Sequence, residues 1–192
     1  MAAYLTAAAA KARDPRLKVV EDSTIDAYVA AFEDIAERYR GVAFTSRTAT
    51  GVTVRGTDRT TLVLPHVKVG TPTAIAIDGT AFTSGELADV TVWADEGTLH
   101  RDAGWCGTQV VLSYPYGYST TPAAILDACT EYVISLHTSR QSGASRNTLS
   151  VSTDVGTTRY STPDWNAGRP TGWLEVDRLL NSVPDFRIPG VG

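Results

Sequence analysis

The sequence predicts an α+β protein: a small helical bundle carrying an inserted β segment, then a long loop and an extended carboxy-terminal tail. Three observations predict it. Asp22 to Arg40 and Pro122 to Arg140 each repeat apolar residues at the spacing of one helical face. Between them, Val42 to Tyr114 is rich in valine, threonine and isoleucine and is broken by glycine turns. A shorter apolar stripe, Gly172 to Ser182, supplies a third helix before Pro184 stops it.

Taken in order, Ala2 to Ala12 has high helix propensity, and Asp14-Pro15 interrupts it because a residue before proline is pushed out of the helical region. Asp22 or Ser23 can cap the next helix. Its stripe is Ile25, Val29, Phe32, Ile35, Ala36 and Tyr39; Glu33, Asp34, Glu37 and Arg38 belong to the solvated side, and Gly41 ends it. In the β segment, turns are expected at Gly51, Gly56-Thr57-Asp58, Gly70-Thr71-Pro72, Asp78-Gly79, Gly85 and Gly104. Asp78-Gly79 between Ala74–Ile77 and Thr80–Phe82 is a strong hairpin signal. The segment closes on Val110 to Tyr114 and an aromatic corner, Pro115-Tyr116-Gly117-Tyr118. Thr121 is the expected cap of the following helix, with Pro122 just inside it. Ile125, Cys129, Tyr132, Val133 and Leu136 form its apolar face.

Ser139 to Thr171 is rich in Ser, Thr, Gly and Arg without a sustained period, although Leu149-Ser150-Val151-Ser152 could become a strand on a partner. In the tail, Pro184 and Pro189 exclude a helix. An extended chain puts Phe186 and Ile188 on one face and Arg187 on the other.

A chain of 192 residues can bury a real core. Its formal net charge of -4 argues against a dedicated nucleic-acid binder. Between Thr61 and Thr120 only Lys68 and Arg101 oppose Asp78, Glu86, Asp89, Asp95, Glu96 and Asp102, so this section repels phosphate. Beyond Lys68 every formal cation is an arginine, the residue suited to bidentate and stacked contacts. The first residues lack the apolar core of a signal peptide, and no run is long enough to span a bilayer; synthesis in the cytoplasm and no membrane partner are expected.

Residues that carry chemistry do not assemble into a motif. His66, His100 and His137 lack paired metal-ligand spacing, and neither a Gly-x-Ser-x-Gly elbow nor a phosphate-cradling glycine loop occurs. Asp89, Asp95, Glu96 and Asp102 match no calcium loop and read as a solvated acidic face. Cys106 and Cys129 lack redox or zinc spacing; Cys129 reads as a core residue, and a disulfide between the two stays open. No catalytic residue, cofactor or metal is expected.

Four features in order carry a resemblance. They are Arg38-Tyr39-Arg40-Gly41 closing a helix, the Ile75–Gly79 hairpin, the corner and proline-headed helix from Tyr114 to Leu136, and the terminal helix and tail from Trp173 to Gly192. The arrangement resembles the head-to-tail adaptor (head–tail connector, or head-completion) family of long-tailed double-stranded-DNA phages. It departs from that pattern in its alanine-rich first helix and in the length of the 139–171 loop.

The resemblance implies a single adaptor domain over 1–182, with a helical scaffold at 1–41 and 119–182 and a β insertion at 42–118. A docking tail over 183–192 follows. It implies a non-enzymatic virion protein of the head–tail neck, forming a twelve-fold ring with itself under the portal. The ring would extend the DNA channel for duplex passing without sequence-specific binding, and would join the next neck or tail protein, a stopper or tail terminator. Arg159, Trp165 and Arg169 in the loop and Phe186, Arg187 and Ile188 in the tail are the expected partner-interface residues. Two other readings remain: a small-ligand or carbohydrate-binding β module using Trp93, Trp105, Trp165 and Trp173, and a phage-associated hydrolase built on converging carboxylates.

Overall fold

The protein, seen in a computed structural model, is α+β; the structure describes residues 4–141 and 170–186, and the backbone of 150–153 and 156–159. Two compact units divide it. One draws on Met1–Arg40 and Thr121–Asp185, the other on Gly41–Thr120 together with Phe186.

The first unit is helical. Helix α1, Ala7–Arg13, starts later than propensity suggests, because the Thr6 hydroxyl caps it by accepting from Ala9 N at 3.2 Å. Tyr4 and Leu5 are buried outside the helix. A 3-10 turn, Pro15–Val19, follows Asp14 and buries Leu17. Helix α2, Asp22–Arg40, ends at Gly41, whose φ of 70° continues no right-handed helix. Ile25, Val29, Phe32 and Ala36 are buried as the stripe predicts, whereas Ile35 and Tyr39 are only half-buried. Glu33 and Glu37 depart from the predicted solvated side. Glu33 accepts from Tyr4 N and Glu37 from the Tyr4 hydroxyl at 2.6 Å, so these carboxylates pin the chain ahead of α1.

Helix α4, Ala123–Gln141, buries Ile125, Cys129, Tyr132 and Val133, with Phe32 and Tyr132 at 5.5 Å between ring centroids; Leu136 is half-buried. The first helical carbonyl is that of Pro122, which accepts from Leu126 N at 3.2 Å. Pro122 therefore holds the cap position expected for Thr121, and the helix begins one residue later. Strands β8, Ser150–Thr153, and β9, Gly156–Arg159, pair antiparallel, so the weak alternation there finds its partner within the chain. Helix α5, Leu174–Asn181, buries Val176 and Leu180.

The carboxyl end of α5 is held by Arg40, only 5% exposed, which donates Nε and Nη2 to Leu180 O at 2.8 and 2.6 Å. At the other end, buried Asp177 accepts from Thr171 N and Oγ1 at 3.0 and 2.6 Å. Cys129 is fully buried and Cys106 exposed, both as free thiols; burial pushes the Cys129 thiol up to about 12.

The second unit contains a four-stranded antiparallel sheet, ordered β1 (Arg47–Thr57), β7 (Trp105–Tyr116), β3 (Ala74–Ile77), β4 (Thr80–Ala81), and a three-stranded one, ordered β2 (Thr61–Val63), β6 (Thr98–His100), β5 (Thr91–Trp93). Strand β1, Arg47–Thr57, runs unbroken through two glycines read as turns. Gly51, at φ 64°, marks a bulge: the register with β7, Trp105–Tyr116, shifts between Ala49 and Val52. Gly56 is required because a Cβ there would lie 2.2 Å from Gly107 O on the partner strand. The Asp78-Gly79 turn joins β3, Ala74–Ile77, to β4, Thr80–Ala81, as predicted. Both residues take positive φ, 48° and 84°, as a primed hairpin turn demands. The Asp78 carboxylate also accepts from Thr108 N and Gln109 N at 3.0 and 2.8 Å.

A short helix α3, Ser84–Ala88, stands where a Gly85 turn was expected, started by a capping box between Thr83 and Glu86. Strands β2, Thr61–Val63, β5, Thr91–Trp93, and β6, Thr98–His100, complete the unit. Its core gathers Leu62, Leu99, Val110, Leu112, Tyr114 and Trp105, whose indole N–H donates to Thr60 O at 3.0 Å.

Candidate functional site: the aromatic corner

The corner at the end of β7 is the most densely built feature of the β unit. Gly117 adopts φ 88°, and a Cβ there would stand 2.4 Å from Thr45 O and 2.8 Å from Ala43 O, so only glycine permits the reversal. Gly70 N, Gly117 N and Tyr118 N donate to Pro115 O, Lys68 O and Ala43 O at 2.8, 3.1 and 3.0 Å, which fixes the three tyrosines. Tyr114 is buried, and its hydroxyl lies 2.9 Å from His66 Nδ1. Tyr116 stacks on the His66 ring at 3.9 Å, and Tyr118 on Phe44 at 5.6 Å. Burial lifts the Tyr114 phenol to about 12 and lowers His66 below its ordinary 6.5, so both are neutral at pH 7.

Lys68 sits above this corner. Its Nζ lies 5.2 Å from the Tyr118 ring, 5.3 Å from the Phe186 ring and 2.7 Å from Asp95 Oδ1. The ammonium is thus held between two aromatic faces and one carboxylate. Sequence reasoning passed over it. The available signal was a lone lysine in an acidic stretch, ahead of a run of aromatics.

A comparison with solved structures finds this fold elsewhere. A chain of the neck of an empty GTA particle, computed with C6 symmetry, superposes with a TM-score of 0.51 at 17% identity. The match covers 66% of this chain and 72% of that one. What the two share is the fold. No family model matches the chain, and no curated protein does.

The predicted interface residues are only partly placed. Phe186 is half-buried in the β unit beneath Lys68. Arg159 ends β9, while Trp165, Arg169, Arg187 and Ile188 lie outside the described residues. The four tryptophans form no platform among the described residues. Trp105 is a core residue, Trp93 stacks on His100 at 5.5 Å, Trp173 precedes α5, and Trp165 is not described. Among the described residues no group of three or more His, Cys, Asp and Glu side chains could hold a metal ion, and no helix is long and apolar enough to cross a membrane. The His66–Tyr114 pair has the reach of an acid–base couple, but both members are neutral and wrapped in rings. The corner's chemistry is to hold a cation and anchor an aromatic.

Proposed function

We propose that this protein is a structural component of the head–tail neck of a tailed phage or phage-like particle, acting as a head-to-tail adaptor. The observation that carries the reading is the fold shared with a chain of a particle neck. The motif order from Arg38 to the tail supports the adaptor family in particular. In this reading 1–182 is one adaptor domain, and twelve copies form a ring under the portal. The ring continues the channel and presents a face to the next neck protein. The acidic 61–120 section suits a passage through which DNA slides, because cations would bind its phosphates and hold it. Residues 183–192 form the docking strand. Phe186, anchored by Lys68, is its root, and Arg187 and Ile188 reach into the adjoining protein.

Electron microscopy of the purified protein tests the assembly and should show closed rings. Particles built with a chain ending at Val183 test the tail. The truncated protein should keep its helical content, while heads fail to complete or lose DNA. Fully infectious particles made with the truncation would refute the docking role, and a protein that stays monomeric at every concentration would refute the ring.

A further inference from the structure

Four large apolar side chains stay exposed among the described residues: Val19, Val63, Trp93 and Leu174. In the helical unit the 3-10 turn ends on Val19, 88% exposed, while Leu17 and Val20 are buried. The turn holds this valine out into water, where it adds nothing to its own core. Beside it, between the start of α2 and the end of α4, is a hollow of about 300 Å³ whose lining includes Val19, Val20, Glu21, Tyr28, His137 and Arg140. His137 and Arg140 stand three residues apart on α4 and so share one side of it. Arg140 packs over the Tyr28 ring and donates Nη1 to its hydroxyl at 3.2 Å, which positions the guanidinium without neutralising it. Neither Arg140 nor the exposed Lys18 makes an ion pair among the described residues. The spot is apolar with a cationic rim, and Glu21 is the single acid in the hollow's lining.

The β unit carries the counterpart. Leu62, Leu99 and Val92 form the core-side row across β2, β6 and β5, so the next row, Val63, Thr98 and Trp93, belongs to the outer face. Val63 is 57% and Trp93 42% exposed. His100 covers one side of the indole, with rings 14° from parallel. The chain then turns through Ala94, Asp95 and Glu96, which with Trp93 border a hollow of about 400 Å³. Lys68 engages Asp95 at 2.7 Å, whereas Glu96 is exposed and makes no ion pair among the described residues. Here the apolar spot has an anionic rim.

Leu174, the fourth exposed residue, has both Glu175 and Arg178 beside it on α5 and selects neither sign. The two charged spots match in kind and oppose in sign. Neither can pair with its own likeness, because like charges would then face each other. A phosphate would suit Lys18 and Arg140 but would leave Val19 in water and meet Glu21. A second chain of the same sequence supplies what each spot lacks. Such a contact joins two different surfaces head to tail, the kind of contact that closes into rings.

We propose that Val19 of one copy beds against the Trp93 side of the β unit of a second copy, whose Glu96 is received by Lys18 and Arg140. The inference rests on the ring reading and names its contact. Apolar burial holds the two copies together, and the charges set their orientation.

Sedimentation of the full chain over a range of concentrations decides it, for wild type, Trp93→Ala, Val19→Ser, Lys18→Glu, Glu96→Lys and the last two combined. Trp93→Ala should weaken assembly about tenfold. Val19→Ser should weaken it while melting as wild type does, because that side chain is almost wholly in water in the single chain. Lys18→Glu and Glu96→Lys should each weaken assembly, and the combined variant should recover most of the loss, since the exchange restores opposite signs. A combined variant no better than its parents overturns the charge pairing. If every variant assembles as wild type does, these spots are not the contact, although the ring reading stands. Open chains of no fixed size that need both Val19 and Trp93 uphold the contact and overturn the ring. A wild-type chain that stays monomeric at every concentration overturns both.

Discussion

The helical unit and the β unit are held together by different means. In the helical unit, order comes from repetition: Ile25, Val29, Phe32, Ile125, Cys129 and Val133 recur at helical spacing and meet in one core. The backbone there leaves the ordinary regions among the described residues only at Gly172, with φ 74° ahead of α5, and Gly41 stops α2 at its edge. In the β unit, positions that only particular backbones can fill decide the structure. Gly51, Gly97, Gly104, Gly107 and Gly117 take positive φ, as do Lys68 and Asp78, which are not glycines. The first unit tolerates local change but needs its volume filled. The second tolerates change on its faces but not at its reversals.

That contrast can be broken by removing volume. Phe32→Ala should cost about 3–5 kcal/mol, because Phe32 is fully buried against Tyr132 and little around it can collapse into the space. Helix ellipticity should melt early, while near-ultraviolet dichroism from buried Trp105 of the β unit lags behind. Coincident transitions by both probes would mean that the units unfold as one and that the contrast has no thermodynamic meaning.

The β unit offers the complementary test, with a smaller effect. Gly97 has φ 64°, and a Cβ there would meet His66 O at 2.2 Å; Gly79 has φ 84° with open space around it. Gly97→Ala should therefore cost about 2–3 kcal/mol and Gly79→Ala about 1 kcal/mol, read by urea unfolding. Equal costs would show that the close approach at His66 relaxes freely.

The smallest effect is one of pH. Burial lowers His66 in the folded state, so below its ordinary 6.5 the unfolded chain binds the proton that the folded chain refuses. This stability contribution is intact above that value and declines as pH falls from there toward the depressed folded value. Melting followed from pH 7.5 to pH 5 should drop for the wild type and less steeply for His66→Gln.

The two units also differed in how far the sequence could be read. Periodicity located the ends of α2 and α4 to within a residue or two, because amphipathic helices write their burial into spacing; the cap of α2 falls on Glu21, whose carbonyl accepts from Ile25 N at 3.1 Å, and not on Asp22 or Ser23. The Asp78-Gly79 hairpin was equally legible. Gly51 and Gly56 misled because glycine marks bulges and close backbone approaches as well as turns. Helix α3 was announced by Thr83 and Glu86 at capping-box spacing, a signal hidden inside a β-rich run. Of the candidate site, the aromatic corner was visible as a motif. The role of Lys68 was not, since it arises from side chains brought together across the fold. Nothing local to Lys68 says that Tyr118, Phe186 and Asp95 will surround it.

The Asp78-Gly79 turn bears on how the protein ages. Among aspartyl peptides, aspartate before glycine is the pair most prone to close into a succinimide and reopen as isoaspartate, because glycine leaves its own nitrogen unshielded. That reaction requires the carboxyl carbon to swing onto the nitrogen of Gly79. Here the carboxylate is tethered across the sheet to the amides of Thr108 and Gln109. The tethers that set the hairpin against β7 also restrain the carboxylate, so closure at this dipeptide requires those hydrogen bonds to break first.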